Sequence, residues 1–137
     1  MIGNFLKIAE VAIIVLTTAT TTRAQEWQPV EVVSISLNEQ LHDFGTRKQY
    51  TKTEFEFKLR NDSTGILVIN NISTSCGCTT PTYSKRPVKS GKTANIKVAY
   101  DASRIGNFNK SVYVYTNYSN NPIELKIKGT MEADEKE

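Results

Sequence analysis

The chain has 137 residues, with 17 basic and 14 acidic side chains, one histidine, two cysteines and a formal net charge of +3. This near-balance of signs excludes a dedicated nucleic-acid binder, which clusters Lys and Arg on a strongly basic domain. Two cysteines exclude a disulfide-stapled scaffold, and the length fits one domain large enough to hold its own core.

Residues 1–24 read as a secretory signal peptide. Lys7 supplies the positive n-region, and residues 8–16 are apolar apart from Ala9's neighbour Glu10. Thr22 and Ala24 give a small-x-small cleavage pattern before Gln25. The apolar run is too short for a spanning helix, which needs about 20 apolar residues. An uncleaved N-terminal anchor is the competing reading; a lipid anchor is excluded because no cysteine follows the run. Cleavage leaves 15 basic and 13 acidic residues. The expected location is periplasmic or secreted, with no membrane span after cleavage near Ala24.

Residues 25–29, which contain Trp27, form a flexible lead-in, and a period of two then dominates through residue 130. The first expected strand covers residues 30–37. A shorter one covers 41–44 and ends at Gly45. Residues 53–61 alternate most clearly, with Phe55, Phe57 and Leu59 facing inward and Glu54, Glu56, Lys58 and Arg60 facing water. A turn by composition follows at 62–65. Residues 66–72 predict a strand buried on both faces for part of its length. Residues 79–91, with Pro81 and Pro87, predict a long irregular connection. Residues 92–101 return to alternation, with Ala94, Ile96, Val98 and Tyr100 on one face. Strands are predicted again over 111–116 and 123–129, and residues 131–137 read as a disordered tail. About seven short strands and no helical period predict an all-β fold, an immunoglobulin-like antiparallel sandwich over residues 30–130.

The chemistry-bearing segment is Cys76-Gly77-Cys78. Alternate residues of an extended strand stand almost 7 Å apart, at the upper edge of the ~4.4–6.8 Å that a disulfide spans. Gly77 is expected to supply the bend that brings the sulfurs together. So small a ring closes almost no loop and adds little stability. Three readings stay open: a local structural disulfide or thiol pair, a redox-active dithiol, and a metal site in which the two thiolates hold Cu(I). A four-ligand zinc site would need His42 and a carboxylate in addition, or a second chain.

His42 is a candidate auxiliary that could activate a thiolate. Asp43-Phe44-Gly45 matches a kinase metal-binding triplet, but the chain lacks the Gly-rich loop, strand Lys and catalytic loop that accompany it. Phe108, Tyr113 and Tyr115 form a candidate contact patch, with tyrosines that cover one sheet as the alternative. Asn61, Asn71, Asn109 and Asn117 open Asn-x-Ser sequons, which matter only in a glycosylating host. No catalytic constellation is legible, and no cofactor is expected.

The order of these pieces is similar to a known bacterial family. It runs from His42-Asp43-Phe44-Gly45-Thr46, through Phe55-Glu56-Phe57 and Ser75-Cys76-Gly77-Cys78-Thr79, to Gly106-Asn107-Phe108 and Leu125-Lys126-Ile127-Lys128-Gly129. The sequence resembles domain of unknown function 1573, frequent in exported proteins of Bacteroidetes, over residues 41–130. The resemblance implies an immunoglobulin-like sandwich of the major-sperm-protein and cilia-associated type, and these are mostly binding modules. It implies no enzymatic activity, and it marks Cys76 and Cys78 as the special pair. The expected function is an exported binding or scaffolding module whose partner is a protein or another envelope component.

Overall fold

The computed structural model describes residues 33–135, so the proposed signal peptide, the lead-in with Trp27 and the first three residues of the strand expected over 30–37 lie outside the described residues. Eight strands follow in order: β1 Ile35–Leu37, β2 Leu41–Lys48, β3 Glu54–Asn61, β4 Ile69–Thr74, β5 Thr79–Tyr83, β6 Thr93–Tyr100, β7 Gly106–Thr116 and β8 Ser119–Glu132. They form two four-stranded sheets, ordered β1-β3-β6-β5 and β2-β8-β7-β4. This is the expected all-β sandwich, immunoglobulin-like, with one strand more than expected.

The core lies between the sheets and follows from alternation. Phe57 and Leu59 of β3, Ile96 and Val98 of β6, Val112 and Val114 of β7, and Leu125 and Ile127 of β8 are all fully buried. β3 and β6 pair in unbroken antiparallel register from Glu54 opposite Ala99 to Arg60 opposite Thr93, so their apolar sets point to one face. All pairings are antiparallel except β2 with β8, which run parallel.

The boundaries differ from expectation in several places. β1 begins only at Ile35, β2 does not end at Gly45 but bulges there and runs on to Lys48, and β7 begins at Gly106 and not at 111. Residues 79–83 form strand β5 where an irregular connection was expected. Pro81 cannot donate to a ladder, but β5 is an edge strand, where one face of the backbone needs no partner. The strand expected over 66–72 begins only at Ile69; Leu67 instead exchanges both backbone hydrogen bonds with Val88. That strand is not buried on both faces. A bulge between Ile69 and Asn71 resets the alternation, so Ile69 and Ile72 both point inward while Asn70 and Asn71 are exposed. β8 continues through Glu132, and Met131, assigned to the tail, is 1% exposed and part of the core.

The Asp-Phe-Gly triplet is architectural. Asp43 Oδ1 accepts the Gly45 N–H at 2.8 Å, and Gly45 has a φ of 63°, which favours glycine. The β2–β8 register shifts between Asp43 and Thr46. The Gly45 carbonyl thereby sits 2.9 Å from where a Cβ on Gly129 would be, and the Phe108 ring is equally close. Only glycine fits at 129. The Gly45 hydrogen bond is also the main reason the Asp43 carboxyl lies below its ordinary value of 3.8, with Lys128 adding to the effect.

Candidate functional site: the cysteine loop

Residues 75–78 carry the chain from β4, an edge of one sheet, to β5, an edge of the other. Cys76 and Cys78 are joined by a disulfide, with Cα atoms 5.3 Å apart. The two sulfurs occupy different environments. Cys78 is 7% exposed and belongs to the core cluster, while Cys76 is half-buried and packs against it.

The loop is tied to both sheets. The Ser75 N–H donates to the Ser111 carbonyl of β7 at 2.9 Å, and the Ser111 N–H donates back to Ser75 Oγ at 3.0 Å. On the other side the Asp101 N–H donates to the Cys78 carbonyl at 2.8 Å. Within the loop, the Thr74 hydroxyl donates to the Cys76 carbonyl at 2.8 Å. Thr79 Oγ1 lies 3.8 Å from the Cys76 sulfur and 3.9 Å from the Cys78 sulfur. Asp101 is held in turn: its carboxylate accepts the Ser103 hydroxyl at 2.6 Å and the Ser103 N–H at 3.0 Å, which lowers its pKa.

Gly77 does not have the role expected of it. It is exposed, its φ is not in the left-handed region, and an added Cβ would meet nothing within 4 Å. The bend comes from the β4–β5 crossover and its hydrogen bonds, and an L-residue fits at 77.

The structure places His42 at the edge of its sheet opposite β4, from which the cysteine loop leaves. It lies on β2, its ring stacked on Phe55 with centroids 3.7 Å apart and edge-on to Phe44 at 4.6 Å. Its Nδ1 meets Glu39 Oε1 at 2.8 Å. These contacts spend its ring and one nitrogen on packing.

The metal reading of Cys76 and Cys78 does not fit the oxidised pair, because Cu(I) takes thiolates and both sulfurs are consumed in the bond. Among the described residues no three His, Cys, Asp or Glu side chains gather in a metal-binding group.

The aromatic patch also separates. Phe108 is 4% exposed and stacks on Tyr100 with centroids 3.8 Å apart, inside the sandwich. Tyr113 and Tyr115 lie on the opposite face of β7, where Tyr113 is half-buried and Tyr115 is 36% exposed. Odd and even positions of one strand cannot share a face.

Of the sequons, Asn61 is fully buried and has a structural role, while Asn71, Asn109 and Asn117 are exposed. Asn61 Nδ2 donates to the carbonyls of Gly65 at 2.9 Å and Val88 at 2.8 Å, and its Oδ1 accepts from the backbone and hydroxyl of Ser63. The Ser63 hydroxyl also meets the Tyr118 hydroxyl at 2.6 Å. Sequence reading missed this hub and missed a basic cleft beside it between β5 and β6. The cleft had a legible signal: residues 63–100 contain five basic side chains and no acidic one.

Comparison with known proteins agrees with this architecture. The family described as a protein of unknown function, DUF1573, matches residues 35–131. No curated protein matches the chain. Among solved structures, a protein of unknown function from Porphyromonas gingivalis W83 is similar with a TM-score of 0.60 and 18% identity, over 73% of this chain and 46% of that one. The PapD-like domain 7 of human CEP192 is similar with a TM-score of 0.61 and 10% identity, over 75% of this chain and 88% of that one. The VesB protease of Vibrio cholerae is similar with a TM-score of 0.58 and 15% identity, over 72% of this chain and 31% of that one. The chain thus spans less than half of the Porphyromonas and Vibrio proteins. What is shared at these identities is the fold.

Proposed function

The chain belongs to the DUF1573 family, and on that premise we propose that it is an exported, non-catalytic immunoglobulin-like module that binds or scaffolds a component of the bacterial cell envelope. Three features support export: the n-region at Lys7, the apolar run 8–16 and the Thr22-x-Ala24 pattern. A closed disulfide suits an oxidising compartment. No helix among the described residues is long and apolar enough to cross a membrane.

The observation that carries the non-catalytic reading is the inequality of the two sulfurs. Exchange would begin with an external thiolate attacking the half-buried Cys76 sulfur. The S–S electron pair would then leave on Cys78 as a thiolate. Cys78 lies in the apolar core, where a thiolate is disfavoured and is therefore a poor leaving group. The ring therefore acts as a local brace within the β4–β5 connection.

The competing reading, a thiol-disulfide redox protein, rests on the access left at Cys76. Thiol trapping across a glutathione series separates the two. The brace predicts slow exchange with glutathione across the series and no catalysed exchange with a disulfide substrate. Rapid reversible cycling within that series would replace the present proposal with the redox one. If reduced protein then retained Cu(I) against a competing chelator, the metal role would stand in its place. Export is tested separately by the mass of the chain recovered from the envelope fraction, expected to begin at Gln25.

A further inference from the structure

Lys85, Arg86, Lys89 and Lys92 lie in the connection from β5 to β6, at the end of β5 away from the disulfide. All four are exposed, and the ion pairs among the described residues involve none of them. Arg86, Lys89 and Lys92, together with Ser84, Thr93 and Asn95, line an open cleft of about 430 Å³. That size falls in the ~300–1,000 Å³ range of small-ligand clefts.

The cleft is built on a fixed frame. Val88, in its wall, exchanges backbone hydrogen bonds with Leu67 at 2.7 and 2.9 Å. The Gly91 N–H donates to the Asn61 carbonyl at 2.6 Å, and the Asn61 N–H donates to the Lys92 carbonyl at 2.9 Å. The buried Asn61 side chain holds the Val88 carbonyl from within. The cations are thus carried on a backbone that is ordered before a ligand arrives, which lowers the entropy cost of binding.

We propose that this cleft binds an acidic saccharide, a sugar carrying carboxylate or phosphate groups. The Arg86 fork and two ammonium groups match oxyanions. The hydroxyl of Thr93 and the amide of Asn95 offer donors and acceptors to ring hydroxyls without adding charge. Lys58 stands opposite Asn95 on β3, so the cation row continues past the cleft and can meet successive acidic units. Of the acids on and just beyond the flanking strand, Glu54 pairs with Lys52 at 3.0 Å and Asp62 with Arg60 at 2.6 Å, while Glu56 stands opposite Lys97 in the ladder register. No aromatic side chain lines the cleft among the described residues, so it lacks the platform on which single-stranded nucleic acid stacks. Its concavity suits a saccharide better than the flat surface of a lipid bilayer. The assignment uses neither the disulfide nor export, so its failure would leave the preceding proposal standing.

The test is calorimetric titration of the purified protein with oligogalacturonate and a phosphorylated mannan. Neutral dextran, charge-matched inorganic polyphosphate, phosphatidylglycerol vesicles and oligo-dT are run beside them. At least one acidic saccharide is expected to bind more tightly than polyphosphate, with dextran silent. R86Q/K89Q/K92Q should weaken that binding roughly 10- to 100-fold while melting like the parent. T93V/N95A, which keeps every cation, should weaken saccharide binding and leave polyphosphate binding unchanged. The proposal is overturned if polyphosphate, vesicles or oligo-dT bind as tightly as the saccharides. It is equally overturned if neither saccharide binds, or if either variant binds like the parent.

Discussion

Replacing Asn61 with alanine tests whether the buried amide organises one end of the sandwich. The variant loses two donated hydrogen bonds, to Gly65 and Val88, and two accepted ones from Ser63. These losses are unequal. The Val88 carbonyl keeps the Leu67 N–H, the Ser63 hydroxyl keeps Tyr118, and the half-buried Gly65 can turn to water. The Ser63 N–H, in a fully buried residue, is left without its acceptor. One orphaned buried donor costs about 1–3 kcal/mol, and the remaining bonds add roughly 1–2 kcal/mol net, so Asn61→Ala should destabilise by about 2–5 kcal/mol. At about 4–8 °C per kcal/mol for a domain near this size, Tm should fall by roughly 8–40 °C. Urea and thermal unfolding followed by circular dichroism measure this directly. Tyr118→Phe completes a double-mutant cycle, and because Ser63 joins the two residues their effects should couple by at least about 0.5 kcal/mol. A loss below about 1 kcal/mol for Asn61→Ala, or strict additivity with Tyr118→Phe, would refute the hub.

Further variants probe the other features. Cys76→Ser/Cys78→Ser closes no loop, and since the bridge spans a sequence separation of 2, chemical denaturation should show a loss of no more than about 1–2 kcal/mol. Gly77→Ala should stay within about 0.5 kcal/mol of the parent and still form the disulfide, as mass spectrometry after alkylation will report. Gly129→Ala should cost about 1–3 kcal/mol or more in the same unfolding assay, because the Gly45 backbone and the Phe108 ring must both give way. Ser36→Ala removes the main cause of the low Asp62 pKa, a hydrogen bond of 2.5 Å, with Arg60 second. Because the folded pKa lies below the ordinary 3.8, this carboxylate stabilises the fold above that value and loses the effect as pH falls through the folded pKa. Carboxyl NMR should show Asp62 titrating closer to 3.8 in Ser36→Ala, and an unmoved midpoint would reject the Ser36 contact.

Where alternation and burial coincide, the sequence was readable. Phe57 and Leu59 on β3, and Ala94, Ile96, Val98 and Tyr100 on β6, point inward as their period of two requires. It failed where a local rule was overridden by position in the sheet. Pro81 argued against a strand, but the edge position of β5 removes the objection. The Ile-rich run at 66–72 looked doubly buried because a bulge cannot be seen in residue types alone. Phe108 was grouped with Tyr113 although the difference of five positions in a strand places them on opposite faces, a parity argument available from the start. The disulfide was one of three legible options, and its geometry depended on a crossover between sheets that short-range pattern does not encode. Asn61 was legible only as one of four sequons, because composition cannot say that its amide meets Gly65, Val88 and Ser63.

The parallel pairing of β2 with β8 sets an order of events for the chain. Leu41 lies opposite Lys126 and Lys48 opposite Glu132, so β2, among the first strands to emerge during synthesis, waits for the last. Until some 85 further residues have followed, its backbone has no ladder to join, and such long-range closure is slow. A chain that has not yet reached β8 therefore cannot complete its second sheet, and β2 stays an unpaired strand until it does.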